Sequence, residues 1–287
     1  MIFDNLRQRI AMVPPLLLLT VATSCGDVDD SAARLQNDTP TTKQVVADSD
    51  TPTTSNATDV VDTNDVFDPG PLDGKLKKYV ANGKVDYAGF KSDPEFASIV
   101  SAIETADPDA MASDDERLAF WINAYNVIVI KNVNANPGIA QPLDVDGFFD
   151  KVKFTVAGKQ LTLNDIENTI IRPTFKEPLI HFGLVCAARS CPPLIATAYT
   201  AENVRSQLAA NARAYLADAA QNKYVKGTKT LSLSKIFEWY KIDFGNDDAG
   251  LIAFAKQYGP EAMVAGLGDG RGVKVKFLEY DWTLNKK

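Results

Sequence analysis

His181 is the single histidine of this chain, and it stands just ahead of Cys186 and Cys191 in the run Ile180-His181-Phe182-Gly183-Leu184-Val185-Cys186-Ala187-Ala188-Arg189-Ser190-Cys191-Pro192-Pro193-Leu194. These residue types can make a nucleophile with its base, a disulfide, or a metal site. A thiol nucleophile requires a base within ~3 Å and a depressed pKa, supplied by a helix N-terminus or a nearby cation. Cys186 is the candidate nucleophile, His181 the candidate base, and Arg189 a source of positive charge. A regular strand over Ile180 to Cys186 would turn His181 and Cys186 to opposite faces. The pair therefore requires the strand to break, or the chain to turn at 187–190 and bring Cys191 back. A disulfide between Cys186 and Cys191 needs Cα atoms ~5.5 Å apart. Five positions along a helix or strand are too many, so a bridge requires a tight turn, and Pro192-Pro193 favours an irregular loop. Two cysteines and one histidine at this spacing do not match paired metal-ligand motifs, so neither a metal nor a cofactor is expected.

Two further groups are candidates for orienting that chemistry. Asn123 and Asn126 fall on one side of an apolar helix, and a buried amide without partners costs about 1 to 3 kcal/mol. They bind nearby backbone, or they orient a substrate or the loop bearing Cys186. Glu167 lies three residues after Asn164, the spacing of a capping box, which accounts for it without catalysis; as a catalytic candidate it would be an orienter. Trp121, Tyr125, Trp239, Tyr240 and Trp282 read as core or rim aromatics, any of which can line a cleft.

The elements that must carry these residues are legible from periodicity. Residues 114–133 are apolar nearly all round after an acidic first turn, which makes a buried central helix capped by Ser113 and stopped at Asn136-Pro137-Gly138. Residues 152–163 alternate about Gly158 as a β-hairpin, and a helix is expected from Asn164. An amphipathic helix is expected over 200–218 with Thr200 as cap and Val204, Leu208, Ala212, Tyr215 and Leu216 on one face. Short helices follow at 234–240 and 247–258, and a strand with one wet face at 273–278. The fold class is α+β: a single domain with a long buried central helix, a β-hairpin and a small, mainly antiparallel sheet flanked by helices.

In register along the chain stand Val85-Asp86-Tyr87, Phe120-Trp121-Ile122-Asn123-Ala124-Tyr125-Asn126, Leu161-Thr162-Leu163-Asn164-Asp165-Ile166-Glu167, the His181 to Leu194 run, Leu233-Ser234-Lys235-Ile236-Phe237-Glu238-Trp239-Tyr240, and Tyr280-Asp281-Trp282-Thr283-Leu284-Asn285. Together they resemble the bacterial family called domain of unknown function 547, over nearly all of residues 71–287. The resemblance implies a domain without an established activity, with a distant likeness to papain-like or transglutaminase-like thiol enzymes. The long apolar helix departs from a papain-like pattern, because it carries Asn123 and no cysteine.

The N-terminus has Arg7 and Arg9, an apolar stretch over 10–22, and Ala22-Thr23-Ser24-Cys25. The stretch is too short to span a bilayer, which takes ~20 apolar residues, and it reads as a lipoprotein signal peptide over 1–24 with Cys25 lipidated. Gly26 after the cysteine slightly favours the outer membrane. Residues 25–70 read as an acidic disordered tether: from Gly26 to Gly70 there are ten Asp against Arg34 and Lys43. That segment accounts for the charge of −7, which leaves residues 71–287 close to neutral. A neutral domain lacks the basic footprint of nucleic-acid binding. The expectation is an exported lipoprotein in the bacterial cell envelope, held to the membrane through Cys25, with substrate or protein partner unidentified. Its domain acts as a thiol-dependent hydrolase or transferase; alternatively it is a non-catalytic binding or envelope-scaffolding module stapled by a Cys186–Cys191 disulfide.

Overall fold

Ser113 fixes the start of the longest helix by accepting the N–H of Glu116 at 3.1 Å, and Asp114, Asp115 and Glu116 complement its positive end. The fold around it is described by a computed structural model that covers residues 66–287, all within the unit Asp62–Lys287. The signal peptide with its Cys25, and nearly all of the tether, lie outside the described residues. Folded structure begins slightly before the expected boundary, because Phe67 packs its ring edge-on against Phe120 at 5.7 Å and is buried. Burying such a ring is worth about 1.5 to 3 kcal/mol.

Three helices open the fold: α1 (Gly70–Tyr79), α2 (Tyr87–Ser92) and α3 (Pro94–Thr105), with the two-residue strands β1 (Val80–Ala81) and β2 (Lys84–Val85) between the first two. Asp86 and Asp93 cap α2 and α3 by accepting N–H groups of Gly89 and Glu95. The central helix α4 (Asp114–Ala135) is buried without interruption from Leu118 to Ile130. It is the core of the domain, as its all-round apolar pattern requires.

The hairpin of β3 (Phe154–Val156) and β4 (Lys159–Leu161) turns at Ala157 and Gly158, both at positive φ, which matches the right-handed strand twist. After it the structure departs from the expected cap. The reciprocal box is made by Thr162 and Asp165: Thr162 Oγ1 accepts the Asp165 N–H, and Asp165 Oδ2 accepts the Thr162 N–H, each at 3.0 Å. Asn164 already has helical dihedrals and does not cap the backbone. Glu167 is thereby released from the capping role assigned to it and turns into the interior, where it is 7% exposed. Asp165–Ile171 is a π-helix, and the Arg172 N–H bonds Glu167 O five residues back. Pro173 in the following helix α5 (Arg172–Phe175) has no N–H to give, which favours a break in the regular i to i−4 ladder.

Pro178–Phe182 is a 3₁₀ helix rather than a strand, so strand parity does not govern His181. The amphipathic helix α6 (Val204–Ala217) starts later than Thr200, at Asn203, and buries Val204, Leu208, Ala212, Tyr215 and Leu216 as its pattern demands. The remaining sheet has the order β5 (Lys223–Val225), β6 (Thr230–Leu233), β7 (Lys274–Phe277), antiparallel between the first two and parallel between the last two. Helices α7 (Lys235–Trp239), α8 (Asp248–Tyr258) and α9 (Glu261–Leu267) fill the connection between β6 and β7. Ser234 and Asp247 cap α7 and α8. The architecture is α+β, with three small sheets and a helical core among the described residues.

Candidate functional site

The loop that follows Phe182 is held from both sides by the central helix. Asn126 donates its amide N–H to Gly183 O at 2.9 Å and accepts the Val185 N–H at 3.0 Å. Asn123 does the same for Tyr199, at 2.8 Å to its carbonyl and 3.0 Å from its N–H. Both amides are thus satisfied by backbone, and Asn126 at the same time fixes the segment that leads into Cys186. A Cβ at Gly183 would lie 2.6 Å from the Leu208 side chain of α6, which would have to shift to admit it.

Beyond Cys186 the chain turns sharply. Ala187 adopts φ +60°, an uncommon conformation for a residue with a side chain. The Cys191 N–H closes back on Ala188 O at 3.2 Å. This turn carries Cys191 round until its sulfur accepts the Cys186 N–H at 2.8 Å. The C-terminal segment then clamps the loop. Arg189 N–H bonds Thr283 O, Ser190 N–H bonds Asp281 O, Asn285 N–H bonds Ala187 O, and the Asp281 N–H is accepted by Ser190 Oγ at 3.0 Å. Asn285 also accepts the Tyr87 hydroxyl at 2.6 Å, so the segments around Tyr87, Cys186 and Asn285 converge. The consequence of the clamp is the placement of Tyr280, whose hydroxyl sits 3.0 Å from Cys186 Sγ.

The two cysteines are free thiols in different surroundings: Cys186 is half-buried and Cys191 is 7% exposed. Burial pushes the Cys186 thiol up. Hydrogen bonds from the Cys191 thiol, the Tyr280 hydroxyl and the Ala188 N–H overcome it, and the net shift is downward. Glu167 opposes that shift with its negative charge. Burial and the adjacent Cys186 drive Cys191 the other way, well above the usual thiol range. Arg189, the cation expected from the sequence, is mostly exposed, with its guanidinium 3.9 Å from Asp281.

His181 does not join this group directly. Its Nε2 donates to Asp243 Oδ2 at 2.7 Å, its Nδ1 lies 3.9 Å from Glu167 Oε1, and its ring stacks on Tyr240 at 3.8 Å. No hydrogen bond joins it to either cysteine among the described residues. Asp243 is also gripped by Arg172 through two bonds of 2.8 and 3.0 Å. Burial raises the Asp243 carboxyl, but His181 and Arg172 outweigh it and hold it down at about 2. Arg172 in turn lies over the Tyr240 ring at 5.3 Å. The π-helical spacing makes this cluster possible, because it lets Glu167 and Arg172 reach His181 and its partner Asp243 from one helix.

Glu167 connects the halves of the site. Tyr125 donates to its Oε2 at 3.4 Å, and its charge is felt at Tyr240 and at Cys186. Burial raises both tyrosines well above their ordinary value, and the Glu167 charge adds to it. Beside Cys186 the rings of Tyr280, Trp239 and Trp282 pack on one another at 4.8 to 5.6 Å. A cavity of about 210 Å³ lined by Arg172, Lys176, Glu177, Pro178, Ile180 and Asp243 opens onto the other end, at the carboxylate that holds His181. Among the described residues no group of three or more His, Cys, Asp and Glu could hold a metal ion.

Residues 108–216 match the family model described as a protein of unknown function, DUF547. The DUF547 match contains Asn123, Asn126, Glu167, His181, Cys186 and Cys191, and stops short of Asp243 and Tyr280. It is shorter than the span 71–287 over which the segments resemble that family. No curated protein and no solved structure matches the chain.

Four members of the site went unnamed as functional candidates in the sequence: Tyr280, Asp243, Arg172 and, beyond its role as an aromatic, Tyr240. Tyr280 opens one of the segments that carry the DUF547 resemblance, which was its available signal. Asp243 and Arg172 had none, since their meeting depends on how α5 and the turn after α7 pack.

Proposed function

We propose that the chain is an exported protein, lipid-anchored through Cys25 in the bacterial envelope, whose DUF547-containing domain acts as a thiol-dependent hydrolase or transferase at Cys186. Export and anchoring rest on the sequence pattern at 1–25 alone. The observation that carries the thiol reading is the contact of a half-buried Cys186 sulfur with the Tyr280 hydroxyl at 3.0 Å. A thiolate in that position is stabilised by the hydroxyl that donates to it, and the thiolate is the reactive form of a nucleophilic cysteine.

The thiolate attacks the carbonyl carbon of an acyl donor, forming the S–C bond of a thioester as the bond to the leaving group breaks. Tyr280 is the nearest proton donor for that leaving group. Water, or an acceptor nucleophile, then cleaves the thioester, giving its proton back to Tyr280 as the Cys186 thiolate leaves. Asn126 positions the loop, and His181 with Asp243 and Arg172 holds the buried Glu167 end of the site, so His181 is a positioning residue here rather than the direct base.

The reduced full chain should be incubated with short-chain p-nitrophenyl esters and analysed by intact mass and peptide mapping. The expected result is an acyl adduct confined to Cys186 and ester turnover that is lost in Cys186→Ala. Turnover that persists in Cys186→Ala, or an adduct distributed over surface lysines without Cys186, overturns the proposal.

A further inference from the structure

The relation of Cys191 to Cys186 goes beyond what a nucleophile needs. Cys191 offers no access to substrate, since it is buried, yet its sulfur lies 2.8 Å from the backbone nitrogen of Cys186 and accepts its N–H. The turn that brings it there is held by Ala187 at positive φ and by four hydrogen bonds to the C-terminal segment. A disulfide needs Cα atoms ~5.5 Å apart, and the turn at Ala187, with the Cys191 N–H returned to Ala188 O, folds the five-residue spacing back on itself as such a bridge requires. One accessible attacking thiol beside one buried thiol is the division of labour in thiol–disulfide exchange, where the first forms a mixed disulfide and the second resolves it.

We propose that Cys186 and Cys191 form a reversible dithiol–disulfide couple, with Cys186 attacking and Cys191 resolving, that exchanges with small or peptidyl disulfides and switches off the Cys186 nucleophile. The proposal rests on the reading of Cys186 as that nucleophile. The Cys186 thiolate attacks one sulfur of an external disulfide, whose S–S bond breaks to release one thiolate and leave a mixed disulfide. The Cys191 sulfur, giving its proton to solvent, then attacks the Cys186 sulfur; the intramolecular S–S bond forms and the second external thiolate leaves. Two protein thiols are oxidised, and one external disulfide is reduced to two thiols. A dithiol reductant reverses both steps.

The reduced full chain and Cys191→Ser should be treated with oxidised glutathione, and in parallel with iodoacetamide, with products read by mass and peptide mapping. The expected result is that the native chain loses two hydrogens, carries a Cys186–Cys191 bridge and no longer reacts with iodoacetamide until dithiothreitol is added. Cys191→Ser should instead stall as a glutathione adduct on Cys186. A native chain that accumulates the same stable adduct while Cys191 remains a free thiol overturns the couple and leaves the nucleophile standing. So does the absence of both adduct and bridge when iodoacetamide still labels Cys186. Failure of iodoacetamide to label folded Cys186 overturns both readings.

Discussion

The hydroxyl of Tyr280 lies 3.0 Å from the sulfur of Cys186, across 94 positions of sequence. The contact exists because the chain between Asp281 and Asn285 is laced by backbone hydrogen bonds to Ala187, Arg189 and Ser190. A residue outside the DUF547 match thus completes the surroundings of a cysteine inside it. A hydrogen bond to a charged group contributes about 1.5 to 3 kcal/mol, so Tyr280→Phe should raise the Cys186 pKa and slow its alkylation at neutral pH by about tenfold or more. Stopped-flow alkylation of the two proteins measures this; equal rates would remove Tyr280 from the account.

Glu167 distinguishes two pictures of the site. Its carboxylate opposes the Cys186 thiolate, so Glu167→Gln should speed alkylation a few-fold at neutral pH. If Glu167 were the base that deprotonates Cys186, the same substitution would slow it. The alkylation rate of the variant, with its fold verified by circular dichroism, separates them.

Asn126 is the link between the central helix and the Cys186 loop. Asn126→Ala leaves Gly183 O and the Val185 N–H without partners in a buried setting, at a cost of about 2 to 4 kcal/mol. Urea denaturation should show that loss. The cysteines should also become unequal to a smaller degree, because the turn that separates their environments is anchored through Val185.

Asp243 makes a prediction about acid. Its carboxyl is depressed to about 2 in the fold, against ~3.9 unfolded, so its contribution is complete above pH ~4 and is lost as the pH falls towards 2. The drop in stability between pH 5 and pH 2.5 should therefore be smaller in Asp243→Asn than in the native chain. Chemical denaturation at the two pH values checks this, and an identical drop in both proteins would contradict the pairing of Asp243 with His181 and Arg172.

How much of this was legible in the sequence depended on whether the cause was local. Ser113 and the acidic turn mark the start of α4, and its apolar run marks it as core, because capping and burial act within a few residues. The β3–β4 hairpin was visible for the same reason. The capping box was misplaced by two residues, since Thr162…Asp165 and Asn164…Glu167 satisfy the same spacing rule and the packing of the following π-helix chooses between them. That choice turned Glu167 from a cap into a buried member of the site. The spacing of Cys186 and Cys191 requires a turn to bring them together, and the turn is present at Ala187, with both thiols free. The partner of His181 was not legible: the 3₁₀ helix Pro178–Phe182 aims its ring at Asp243, 62 positions on, and nothing in the local run encodes that contact.

The central claim is that Cys186 is an activated thiol, and its reaction rate as a function of pH tests this most directly. The reduced full chain should be alkylated with iodoacetamide from pH 5 to pH 10, with Cys186 and Cys191 followed separately by peptide mapping. The account predicts that Cys186 is labelled first, with a midpoint below the ~8.5 of an ordinary cysteine, while Cys191 stays protected until the protein unfolds. A Cys186 midpoint at or above that of an ordinary cysteine, or labelling of both thiols only on unfolding, would contradict it.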